Sequence, residues 1–271
     1  MNKQLREFEQ ELDLHIEKIA AKIKKVYEDS HSNGFVIGMS GGIDCATVMA
    51  LCHHANVPVI AFTMPYEANT SKQRIKGMDD AKACCDKFHV PLYTLDISQS
   101  ANVLIDQVNN TLSQELINDE KVRLAKANVL PRMRMINLYY VAQLTNRLVI
   151  GTGNLSEIVM GYFTKWGDGA NDFNPIKTLC KTQIYMIAKR LGVPQAIIDK
   201  QPSADLWDEQ TDEKEMGLTY AQIDNYITSG EASEEVKAKI SATLRRNKHK
   251  YEVNMFEDLS DKPWIKQALE A

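Results

Sequence analysis

Two periodicities alternate along this chain. Residues 3 to 27 place Leu5, Phe8, Leu12, Ile16, Ile19, Ile23 and Val26 three or four positions apart, the spacing of an amphipathic helix. A short apolar run, Phe35, Val36 and Ile37, reads as a strand; after a glycine turn the helical spacing returns through Ala46, Val48, Leu51 and Cys52. Residues 57 to 63 predict a second buried strand, 71 to 88 a helix and 90 to 95 a third strand. Helices are predicted over 99 to 118 and 121 to 146, a fourth strand over 147 to 151, and further helices over 178 to 191, 219 to 228 and 233 to 247. Strands alternating with helices of this length predict an α/β fold: a doubly wound, mainly parallel, Rossmann-like sheet with helices on both faces. Ligands in such sheets bind at the carboxyl ends of the strands, where Ser40, Met64 and Asp96 fall.

Size and composition narrow the picture. The 271 residues fit one domain, with an N-terminal helix over 1 to 30, an α/β core over 34 to 200 and a C-terminal loop with helices over 201 to 271. No apolar run approaches the ~18 residues that span a bilayer, and the N-terminus lacks the apolar centre of a signal peptide, so the expected location is the cytoplasm. A net charge of −4 exerts no general pull on nucleic acid. The five cysteines contain no Cys-x-x-Cys pair, which argues for reduced thiols and against zinc or redox motifs.

The candidate chemistry starts in the turn after the first strand, Gly38-Met39-Ser40-Gly41-Gly42-Ile43-Asp44-Cys45. Glycines let the backbone approach a ligand, and the free N–H groups of the following helix attract an anion, with phosphate the obvious guest. The commoner nucleotide loop ends in Gly-Lys-Ser/Thr; here Asp44 stands beside the anion, which makes electrostatic sense with a cation such as Mg²⁺ between them. Residues 160 to 174 combine glycines with Tyr162, Phe163 and Trp166, the character of a loop that closes over substrate, and 201 to 217 reads as a second mobile, polar segment. The helix over 121 to 146 is crowded with Met and Tyr, which suits a subunit interface as well as a core. The basic cluster Arg245, Arg246, Lys248, His249 and Lys250 fits either helix-dipole partners or a ligand site.

Ser-Gly-Gly-Ile-Asp resembles the pyrophosphate loop of the ATP-pyrophosphatase superfamily, with Cys45 replacing the usual serine. Five later segments resemble ammonia-dependent NAD⁺ synthetases: 151 to 157, 161 to 169, 175 to 183, 202 to 206 and 210 to 217. The resemblance implies ATP-dependent amidation of deamido-NAD⁺ by ammonia through an acyl-adenylate, releasing AMP and pyrophosphate, in a homodimer with the dinucleotide at the interface. It further implies that residues 38 to 45, Thr152, Lys181 and Ser203 bind ATP and that Asp44 and Glu157 hold Mg²⁺. Arg132, Lys165, Asp172, His249 and Lys250 match positions that bind deamido-NAD⁺, and Asp168 matches a lid aspartate near the incoming ammonium. A chain filled by this match leaves no room for a glutaminase domain, so the expected nitrogen donor is free ammonia. Competing readings are a tRNA-modifying ligase of the same superfamily, which wants a basic surface or paired catalytic cysteines, and a non-catalytic ATP sensor.

Overall fold

The computed structural model describes residues 1–66, 72–203 and 211–251. Four strands, β1 (Phe35–Gly38), β2 (Val59–Thr63), β3 (Leu92–Thr94) and β4 (Leu148–Val149), pair in parallel in the order β3-β2-β1-β4. Phe35, Val36 and Ile37 are fully buried, because a central parallel strand is covered on both faces and must be apolar on both. Phe35 and Ile37 pack into the layer that contains the helix after the loop, whereas Val36 packs with Ala142 and Val149 in another cluster. β2 and β4 flank β1, so the chain leaves β1 and β4 around a crevice at their carboxyl ends, the switch point where such sheets take ligands.

One layer is built from α1 (Lys3–Gln10), α2 (Leu12–Ser30), α3 (Ile43–His54), α8 (Lys181–Arg190) and α9 (Gln195–Ile198). α3 is buried without interruption from Cys45 to Cys52, which explains why it is apolar around its whole circumference. α4 (Lys72–Lys87) packs against β2, while α5 (Ser98–Thr111) and α6 (Asp119–Thr145) pack together and α6 covers β1 and β4. A second apolar cluster joins α7 (Leu155–Val159), α10 (Asp212–Met216), α11 (Tyr220–Ser229) and α12 (Glu234–Arg246), with Ile223, Ile240 and Leu244 fully buried; α13 (Lys248–Tyr251) follows.

The element order matches the sequence reading, with local corrections. The single helix predicted over 3 to 27 is two helices broken at Glu11. The apolar spacing passes across the break unchanged, but Asn2 donates to Asn225 Oδ1 (2.9 Å) and Thr228 Oγ1 (2.7 Å), drawing α1 toward α11. The helix predicted to reach 118 stops at Thr111, where Leu112 turns extended, and a 3-10 turn spans Gln114–Leu116. Lys181 is the first residue of α8 rather than an interior one, because the helix starts three residues later than its apolar spacing suggested. Within 201 to 217, Asp212–Met216 is helical; 204 to 210 lies outside the described residues.

Ile184 of α8 is fully buried in the cluster shared with α3. Ile184→Ala is expected to remove about 2–5 kcal/mol of stability, read as a lower midpoint in urea unfolding.

Candidate active site

A cavity of about 720 Å³ opens at the carboxyl ends of β1 and β4. Its floor is the loop after β1. Gly41 adopts φ +76°, and a Cβ there would stand 2.2 Å from the Gly77 carbonyl oxygen, so the glycine is required both for conformation and for the close approach of α4. No side chain caps α3 at Gly42, which leaves the first amides of the helix available to an anion. The Cys45 thiol is turned to its own loop, donating to the Gly42 carbonyl (3.2 Å) and lying 3.5 Å from Ser40 Oγ.

At the end of this loop three charged side chains from three elements meet. Lys181 Nζ lies 2.5 Å from Asp44 Oδ2 and 3.2 Å from Glu157 Oε1, with only 3% of the lysine side chain exposed. Asn154, the buried N-cap of α7, connects both acids: its Nδ2 donates to Asp44 Oδ1 (3.0 Å) and its backbone N–H to Glu157 Oε2 (3.2 Å), while its Oδ1 accepts from Glu157 N (3.0 Å). Burial pushes the Glu157 carboxyl up to about 8, with Lys181 pulling it down and Asp44 pushing it up. Burial alone would lower Lys181, but Asp44 and Glu157 outweigh it and hold the ammonium above its ordinary value.

Lys181 is itself fixed from behind. Its backbone N–H donates to Ser156 Oγ (3.0 Å), Ser156 Oγ donates to Asp224 Oδ1 (2.5 Å), and Asp224 Oδ2 accepts from Thr182 N (2.7 Å) and Thr182 Oγ1 (2.6 Å). A carboxylate thus caps the N-terminus of α8, where the helix dipole favours it. Asp212 stands on another side of the cavity. It is buried, its Oδ2 accepts from Tyr220 O–H (2.8 Å), and its Oδ1 has no hydrogen-bond partner among the described residues.

The 160 to 174 segment lines the cavity and is tied down: Thr164 Oγ1 donates to Asn128 (2.8 Å), and Lys250 Nζ donates to the carbonyls of Gly161 (2.6 Å) and Phe163 (2.7 Å). Asp168 faces the cavity and accepts from Thr164 N at 2.9 Å.

Of the residues singled out in the sequence, Gly38, Met39, Ser40, Gly42, Ile43, Asp44, Cys45, Thr152, Glu157, Asp168, Lys181, Ser203 and Lys250 line this cavity, and Gly41 braces its floor. Arg132, Lys165, His249 and Asp172 do not line it. Arg132 Nε donates to the Lys165 carbonyl (3.2 Å), Lys165 Nζ donates to the His249 carbonyl (2.8 Å), and Asp172 Oδ2 accepts from Val149 N (2.8 Å) at the edge of β4. Asn154, Asp212, Tyr220 and Asp224 were assigned no role from the sequence, although Asn154 and Asp212 lie in the 151 to 157 and 210 to 217 segments that carry the resemblance and Asn154 also forms a capping pair with Glu157 three residues on; Tyr220 and Asp224 lie outside those segments.

A family model described as NAD synthase matches residues 15–259. The chain belongs to the NAD synthase family. It is 39% identical over 244 residues to the NH₃-dependent NAD⁺ synthetase of Archaeoglobus fulgidus, covering 88% of this chain and 94% of that one. Among solved structures, an NMN synthetase from Francisella tularensis superposes with a TM-score of 0.80 at 35% identity (88% and 94% covered). An NH₃-dependent NAD synthetase from Campylobacter jejuni superposes with a TM-score of 0.70 at 29% identity (88% and 96% covered). The activity of this family is ATP-dependent amidation of deamido-NAD⁺ by ammonia, the last step of NAD biosynthesis. The paired reactive cysteines of the alternative ligase find no support: all five thiols are free and buried, and burial pushes Cys85 up to about 12.

Asp224→Ala strips an acceptor from the Ser156 hydroxyl and from both donors of Thr182. It is expected to cost roughly 3 kcal/mol, measured by urea unfolding, and Asp224→Asn, which keeps an oxygen, to cost less.

Proposed function

We propose that the loop after β1 grips the β- and γ-phosphates of ATP, so that the leaving group is pyrophosphate and AMP stays on the acid. The observation that carries this reading is the meeting of Asp44, Glu157 and Lys181 at the end of the loop, inside the cavity. A carboxylate is a poor electrophile toward ammonia until its oxygen becomes a good leaving group. Adenylation requires two anions, the nicotinate carboxylate and the α-phosphate, to approach, and positive charge concentrated at one point lowers that barrier.

In this reading the amides of Ser40, Gly41, Gly42 and Ile43 hold the outer phosphates, the flanking Gly38, Met39 and Cys45 shape the floor, and Thr152 and Ser203 offer hydroxyls to ATP. Lys181 opposes the charge that develops as the acid oxygen attacks. Asp44 and Glu157 are the residues that would hold Mg²⁺: they offer carboxylate oxygens, Glu157 sits where burial makes a lone negative charge costly, and with Lys181 the trio sums to −1 when all three are ionised. Two acids leave most of the shell of a hard cation to phosphate oxygens and water; when bound, Mg²⁺ supplies charge neutralisation of the phosphates. Asp168, open to the cavity, accepts the proton or the hydrogen bonds of incoming ammonium. The tied-down 160 to 174 segment limits water reaching the acyl-adenylate.

Arg132, Lys165, Asp172, His249 and Lys250 serve the remainder of the dinucleotide, at an interface with a second copy. That interface is supported by the exposure of Val103, Leu104 and Val108 on α5 and of Leu124, Ile136, Tyr140 and Leu144 on α6, the helix that also carries Arg132. Free thiols go with a reducing compartment, the cytoplasm, and among the described residues no helix is long and apolar enough to cross a membrane. The whole chain acts as one catalytic unit. A second acceptor, nicotinate mononucleotide, is supported by the likeness to the Francisella NMN synthetase; the reacting carboxylate is the same.

The test offers Mg-ATP and ammonium with each acid in parallel. Amide, AMP and pyrophosphate are expected in equal amounts, with higher kcat/KM for the dinucleotide; ADP and phosphate would refute the α-phosphate chemistry, and the reverse preference would make the mononucleotide the acceptor. Asp44→Ala is expected to lower turnover at least ~100-fold with the fold retained by circular dichroism, and near-normal turnover would remove Asp44 from the site.

A further inference from the structure

The loop after β1 carries no lysine, and the charge of Lys181 is opposed by two carboxylates. A triphosphate carries more negative charge than one Mg²⁺ offsets, so its outer end has room for a further cation. The place to look is where α4 crosses the loop. A Cβ on Gly77 would stand 3.0 Å from the Ser40 carbonyl oxygen and 3.5 Å from Lys200 Nζ, so the Lys200 ammonium lies beside the backbone that touches the loop. One turn further along α4, Asp80 is buried, its Cβ 3.1 Å from where a Gly41 Cβ would be, and its Oδ2 lies 3.6 Å from Lys200 Nζ. Lys200, Gly77, Ser40 and Gly42 line the same cavity.

A largely buried ion pair contributes little net stability, since desolvation offsets attraction; its side chains here are 14% and 8% exposed. The pair is also loose. At 3.6 Å it exceeds hydrogen-bond length, and Asp80 Oδ2 has no hydrogen-bond partner among the described residues. An ammonium has three donors, so a phosphate oxygen can take one while Asp80 continues to fix the position of the lysine.

We infer that Lys200, positioned by Asp80, is a second cationic arm of the phosphate loop that binds the outer phosphates of ATP and then the pyrophosphate they become. The inference rests on the loop reading proposed above. Lys200 touches the substrate; Asp80 is a positioning residue.

The experiment measures, on the full chain with Mg²⁺, inhibition by pyrophosphate and by AMP together with KM for ATP. In Lys200→Met the pyrophosphate inhibition constant and KM for ATP are expected to rise about 10- to 100-fold, the range of one charge-assisted hydrogen bond. Inhibition by AMP should stay within about twofold, because AMP has lost those phosphates. Lys200→Arg should recover most of the loss. Equal weakening of pyrophosphate and AMP would assign Lys200 a merely structural role and overturn the inference, as would unchanged pyrophosphate inhibition in Lys200→Met. If pyrophosphate fails to compete with ATP in the unmodified protein, the loop reading itself falls and takes the arm with it; competition there with no effect of Lys200→Met removes the arm alone.

Discussion

A buried lysine between two carboxylates constrains everything around it. None of Asp44, Glu157 and Lys181 could be buried alone without several kcal/mol of desolvation cost. Together they are tolerable, but only if α3, α7 and α8 bring their first turns to one corner. Asn154 and the Ser156–Asp224–Thr182 chain fix that corner from the α7 and α11 sides, so the second apolar cluster is a support for the charged centre. Removing any member leaves an unmatched charge or donor.

The same corner explains why the chemistry falls between strands β1 and β4. The strand order β3-β2-β1-β4 sends the chain in different directions after β1 and β4, and the gap between those exits is the cavity. Helix amides of α3 face it from one exit and the acid of α7 from the other. In the proposed reading, anions held by the loop meet the Lys181 ammonium at the boundary of the two exits, where Asp44 and Glu157 would hold Mg²⁺, and together these would supply the positive charge that bringing a carboxylate to an α-phosphate demands.

The fold was largely legible because its signals are local. The apolar run at Phe35 to Ile37, the glycines after it and the return of helical spacing each depend on neighbours in sequence. The break at Glu11 was invisible because the apolar period continues through it, and its cause, Asn2 bonding to Asn225 and Thr228, lies more than 200 residues away. The site divides in the same manner. The loop with Asp44, and Glu157 at the end of the 151 to 157 segment, carried motif signals, whereas Asp224 and the Asp80–Lys200 pair gain meaning only from partners distant in sequence. Arg132, Lys165, Asp172, His249 and Lys250 were grouped by resemblance; Arg132, Lys165 and His249 lie along one chain of side-chain-to-carbonyl hydrogen bonds outside the cavity, Asp172 sits at the edge of β4 and Lys250 lines the cavity.

The central claim is that the oxygen of the acid ends on AMP while the loop retains the two phosphates that leave. Turnover of the pyridine acid labelled with ¹⁸O in its carboxylate, followed by mass spectrometry of both products, tests this directly. The account predicts one labelled oxygen in AMP and none in pyrophosphate. Label in pyrophosphate, or AMP free of label, would contradict it.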